Sequence, residues 1–128
     1  MKQLLLAFII LCSHNCFAQN NADAIIGKWL KVPKEDLIIE VYKSGEQYQG
    51  KITWTKTKDP NRPIDFMILD KLKYNSNSGV WEDGKINDPG SGRTYTASVK
   101  LKPDGMLELT GYMGFKFFGK KKNFKKVK

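Results

Sequence analysis

The chain has 128 residues, of which 41% are hydrophobic and 12% aromatic, with 22 Lys and Arg against 13 Asp and Glu and a formal net charge of +9. That length holds one domain, and that composition is enough to fill a core, which excludes wholesale disorder. No apolar run reaches the roughly 18–20 residues of a membrane-spanning helix.

The chain opens with a leader. Lys2 supplies a positive charge, Leu4 to Cys12 are uninterruptedly apolar, and the small residue Ala18 precedes Gln19. This is the order of a secretory signal, so residues 1–18 are expected to be removed and residues 19–128 to form one exported domain, periplasmic or extracellular. A buried N-terminal helix fits less well, because Asn20, Asn21 and Asp23 break the apolar pattern at once. Lipidation of a cysteine is not expected. Ser13-His14-Asn15 before Cys16 lacks the apolar and small residues of such a site, and Ile9-Ile10-Leu11 before Cys12 lacks the small ones.

Cys12, Cys16 and His14 all fall inside the leader. The mature domain would then contain neither imidazole nor thiol. Ser-His-Asp triads, Cys-His pairs, redox dithiols and the usual zinc sites need those groups. No structural disulfide, metal site, cofactor or catalytic residue is expected.

Beyond Ala18 the one short helical turn fits near Ala22–Ile25, since no sustained 3.6-residue stripe occurs anywhere after it. Leu37-Ile38-Ile39-Glu40-Val41-Tyr42-Lys43 puts Leu37, Ile39 and Val41 on one face, and Ser44-Gly45-Glu46 makes a turn. Tyr48 to Thr55 then alternates strictly, with Tyr48, Gly50, Ile52 and Trp54 facing one way, the pattern of a half-buried strand. Lys56 to Pro63 is the longest polar break and reads as an ordered loop. Asn87-Asp88-Pro89-Gly90-Ser91-Gly92 is a long turn, after which Tyr95, Ala97, Val99 and Leu101 share a face. Lys102-Pro103-Asp104-Gly105 carries hairpin chemistry, and Leu107, Leu109 and Gly111 alternate after it. About eight short antiparallel strands with little helix predict a small all-β barrel or sandwich. Closing the sheet as an up-and-down barrel would remove its exposed edges.

Gly27-Lys28-Trp29 resembles the Gly-x-Trp opening of lipocalin-like, or calycin, barrels. Further matches follow in order: Gly50-Lys51-Ile52, Asp59-Pro60-Asn61, Trp81 to Pro89, Gly92-Arg93-Thr94-Tyr95, Leu107 to Gly114, and Gly119 with Phe124. From Gly27 onward the chain resembles a family of exported bacterial domains of unknown function with a calycin-like barrel. The resemblance implies a β-barrel with no established activity. It also implies that Gly27 and Trp29 help close one end of the barrel. Phe124-Lys125-Lys126 departs from the family pattern, which has Trp, a polar residue and Arg there. Lys126 would therefore have to cover Trp29, without the planar guanidinium that stacks on indole.

Several residues are candidates for a site, each with a plainer alternative. Tyr48, Trp54, Tyr95 and Tyr112 could line a cavity for a small apolar or amphipathic molecule, or could simply fill the barrel. Asp88 and Arg93 could hold a polar ligand group at a barrel mouth, or Asp88 could cap backbone amides in a structural turn. A calcium loop does not fit, because Lys85 stands two residues after Asp83, and Gly90-Ser91-Gly92 lacks the Lys-Ser/Thr of a phosphate loop. Asp59, Asp65 and Asp70 read as solvated loop charges.

Seven lysines lie between Lys116 and Lys128 with no acid among them. Lys120, Lys121, Lys122, Lys125, Lys126 and Lys128 could dock on an anionic envelope surface, or could be the aggregation-resistant outer face of a last strand. Nucleic acid is not expected as a partner in an exported domain. The functional expectation is a lipocalin-like binding module. Anionic-surface docking is the alternative, and an enzyme built on Asp88 and Tyr95 stands last because histidine and cysteine are missing.

Overall fold

Residues 21–113 and 116–128 are described in the structure, a computed structural model, with the backbone alone described at 113 and 116–119. The leader read at residues 1–18, with its cysteines and histidine, lies outside the described residues, as do Gly114 and Phe115. A short 3-10 turn, Asp23–Ile25, precedes eight strands: β1 (Gly27–Val32), β2 (Leu37–Ser44), β3 (Gln47–Thr55), β4 (Met67–Asn75), β5 (Val80–Asn87), β6 (Thr94–Leu101), β7 (Leu107–Met113) and β8 (Lys116–Lys126). Each pairs antiparallel with the next, and β8 pairs back onto β1 to close the barrel. The all-β up-and-down expectation is met. Among the described residues no helix is long and apolar enough to cross a membrane.

Alternation sends one face of each strand inward. Leu37, Ile39 and Val41 from β2, Tyr48 and Ile52 from β3, Ala97 and Val99 from β6, and Leu107 and Leu109 from β7 are buried together with Trp29, Trp81 and Phe124. Burying a large apolar side chain contributes about 1.5–3 kcal/mol, so this interior is the main stabilising feature. The Lys102-Pro103-Asp104-Gly105 turn is tight, with Gly105 at φ 86° donating its N–H to Lys102 at 2.9 Å. Glycine takes that left-handed conformation without the clash a Cβ would bring.

Register irregularities interrupt the pattern between β2 and β3, β3 and β4, β5 and β6, and β7 and β8. Ile38 pairs with Trp54 while Ile39 pairs with Ile52, so Thr53 is an extra residue in β3. That insertion turns Trp54 outward beside Ile38, where it is 42% exposed. The expectation that Trp54 shares the inner face of Tyr48 and Ile52 is corrected, because one added residue reverses the sense of a period-two pattern. In β4 a second irregularity skips Ile68, between the pairs Gly50–Leu69 and Lys51–Met67.

The two ends of the barrel differ. At one end lie the hairpins β2–β3, β4–β5 and β6–β7, together with the Asp23–Ile25 turn. That turn is held as a plug: the Trp29 indole N–H donates to the Ile25 carbonyl at 2.9 Å, Trp81 donates to Ala22 at 2.9 Å, and the Tyr48 hydroxyl donates to Asp23 Oδ1. Ile25 is fully buried beneath it. The opposite end carries the β1–β2, β3–β4 and β5–β6 loops. There the Arg62 guanidinium bonds Asp36 at 2.9 Å and ties the first two together.

A cavity at the open end

A cavity of about 380 Å³ lies inside the open end. Its apolar lining comes from Leu37, Ile52, Ile68, Ile86, Leu109 and Phe124. Gly111 also faces it, and a Cβ there would come within 3.3 Å of the Ile86 side chain. The absence of a side chain at Gly111 therefore leaves space open.

The polar lining is basic. Lys31 from β1, Arg62 from the β3–β4 loop, Arg93 after the β5–β6 turn, and Lys120 and Lys122 from β8 all border the cavity, with Asp88 as the acid among them. Burial first, and then the nearby Lys122 charge, pulls Lys31 below the ordinary lysine range, against a smaller opposing effect of Asp36. The bond from Arg62 holds the Asp36 carboxyl below its usual range despite partial burial. Burial opposes the charge of Asp88, yet hydrogen bonds from Ser91 and Gly90, with Lys122 nearby, keep its carboxyl below the usual carboxylate range.

The residues singled out in the sequence divide between several places. Asp88, Arg93 and Tyr95 line the cavity. Asp88 also organises its turn, accepting from the Gly90 N–H and the Ser91 hydroxyl, each at 3.0 Å. Tyr48 does not line the cavity; it is buried near the plugged end, where its phenol meets Asp23. Tyr112 follows the inward Gly111 and so lies on the outer surface, its hydroxyl 3.2 Å from that of Ser98. Trp54 stays outside for the reason given above. Strand phase and the bulge in β3 account for all three corrections.

The lysines of β8 do not form one outer face. Lys120 and Lys122 share the phase of buried Phe124 and border the cavity while remaining exposed. Lys121 pairs with Glu108 at 3.8 Å, and Lys125 pairs with Glu35. Lys126 lies over Trp29, with Nζ 4.8 Å from the ring centroid, and donates to the Ile26 carbonyl at 2.7 Å. Lys128 is exposed. All six are exposed, and alternation divides those within the strand between its two faces.

Sequence reasoning missed Lys31, Arg62, Lys120 and Lys122 as cavity residues. Two signals were available: Lys31 is in phase with Trp29, and Lys120 and Lys122 are in phase with Phe124. Arg62 had none, since its position depends on how a long loop folds back. Among the described residues no group of three His, Cys, Asp or Glu is placed to hold a metal.

An eight-stranded antiparallel barrel, plugged at one end and hollow at the other, defines a lipocalin-like protein. The chain belongs to the family described as an uncharacterized protein conserved in bacteria (DUF2147), which matches residues 27–126. Among solved structures it is similar to protein HP1028 from the human pathogen Helicobacter pylori, described as belonging to the lipocalin family. That likeness has a TM-score of 0.67 at 16% identity and covers 81% of this chain and 83% of the other, so it is a likeness of fold. No curated protein matches the chain by sequence.

Proposed function

We propose that this chain is an exported lipocalin-like binding protein, not an enzyme, that holds a small apolar or amphipathic molecule in its open-end cavity. The observation that carries the reading is the apolar recess of about 380 Å³ beneath a polar rim, a size and character typical of small-molecule sites. Export is supported by the charged, apolar, small-residue order of residues 1–18.

The test is titration with N-phenyl-1-naphthylamine, a neutral dye that brightens in apolar surroundings. The parent protein is expected to bind it saturably. Gly111→Leu, which fills the recess, is expected to abolish binding while keeping a β-type circular dichroism spectrum. Equal dye binding by the parent and the filled variant would reject the cavity as the site.

A further inference from the structure

We infer that the open-end cavity selects amphipathic molecules with an acidic head group, holding a carboxylate among Lys31, Lys122 and Arg62 while the aliphatic body lies along Ile52 and Phe124. This inference rests on the binding reading above and adds the chemical class of the ligand.

The argument begins with charge. Five basic side chains and one acid border the cavity, and the bases come from β1, β8 and two separate loops. Folding has therefore gathered like charges that are distant in sequence around one opening, which costs stability unless something offsets it. Some surface bases elsewhere have an acidic partner, as Lys121 has Glu108, Lys125 has Glu35 and Lys43 has Asp23. At the cavity Arg62 alone has such a partner, in Asp36, and among the described residues no carboxylate stands within 4 Å of Lys31, Lys120, Lys122 or Arg93.

Lys31 and Lys122 are close enough to oppose each other's charge, and Lys31 is partly withdrawn from water as well. A bound carboxylate would neutralise both and replace lost hydration with charge-assisted hydrogen bonds. The apolar floor directly beneath explains why an inorganic anion would use only half of the site. Asp88, with its own bonds to Gly90 and Ser91, also borders the cavity and disfavours a second acidic group beside it.

Calorimetric titration of the protein with decanoate, decanol and decylamine tests this directly. Decanoate is expected to bind about tenfold or more tightly than decanol, and decylammonium most weakly. Raising salt to about 0.5 M should narrow the gap between acid and alcohol. The double variant Lys31→Met and Lys122→Met should lose most of the preference for acid over alcohol while keeping the alcohol affinity of the parent. Lys31→Met alone should melt no lower than the parent, because a half-buried, crowded charge has been removed; a residue kept for stability would behave in the opposite way. Equal binding of acid and alcohol by the parent, or a preference undiminished in the double variant, overturns the inference. Binding of the neutral dye without any acid preference overturns it and leaves the cavity reading standing, whereas failure to bind dye removes both.

Discussion

Gly27, Trp29 and Lys126 form a three-part clasp in which each residue depends on the others. Gly27 has φ 137°, and a Cβ built there would stand 2.3 Å from Lys126 Nζ. The glycine thus leaves the gap through which the lysine reaches both the Ile26 carbonyl and the indole face. Gly27→Ala is expected to destabilise the fold by about 1–3 kcal/mol, from the backbone strain and the displaced lysine together. Lys126→Met should cost about 1–2 kcal/mol through the lost hydrogen bond and ring contact. Because the two changes damage the same clasp, urea midpoints of the double variant should fall short of the sum.

Tyr48 gives an expectation in pH. Burial, followed by the bond to Asp23, raises its phenol above the ordinary value of 10.0. The folded form therefore keeps a proton that the unfolded form releases. Stability contributed by this group is complete below pH 10 and declines as pH rises above it. Absorbance titration near 295 nm should show one tyrosine ionising only as the protein unfolds, and Tyr48→Phe should remove that delayed step. Trp54, by contrast, is exposed on the outer face and does not line the cavity. Trp54→Ser should change stability by about 0.5 kcal/mol or less and leave dye affinity unaltered.

Among the elements, the Asp23–Ile25 turn makes one backbone bond of its own, from the Ile26 N–H to the Asp23 carbonyl at 3.1 Å, and is otherwise held by side chains. Trp81→Phe removes the indole donor to Ala22 and should cost about 1 kcal/mol. Hydrogen exchange should show the loss as faster exchange confined to the turn and the start of β1. The strands themselves were largely legible in the sequence, because alternation is a direct consequence of one wet and one dry face. Leu37-Ile39-Val41, Ala97-Val99 and Leu107-Leu109 face inward as that pattern requires. Alternation could not reveal the extra Thr53, since a bulge depends on the neighbouring strand's register, and Trp54 was misplaced for that reason. The cavity's basic lining was half legible. Lys120-Lys122-Phe124 had the correct phase, but a run of lysines suggests an exterior until it is known that the barrel is hollow at that level. Tyr112 was assigned to the interior although Gly111 beside it already claimed the inward position.

For the molecule as a whole, closure rests on the seam where Lys31 of β1 pairs with Phe124 of β8. Phe124 also pairs with Leu107 on its other side and is 1% exposed. Phe124→Ala should cost about 3–5 kcal/mol, a large share of a total stability of about 5–15 kcal/mol. An opened seam offers two unpaired strand edges. The variant is therefore expected to form soluble oligomers on size-exclusion chromatography at concentrations where the parent does not.

The same seam has a consequence for biosynthesis. Any polypeptide delivered N-terminus first, whether from a ribosome or through a translocation pore, must wait with one edge of β1 unpaired until β8 emerges some ninety residues later. Nothing in the first seven strands can substitute for the partner that is still missing. Chaperones that shield raw sheet margins would have their clearest work in that interval, and Lys126 settling against Trp29 would mark the moment at which their help became superfluous.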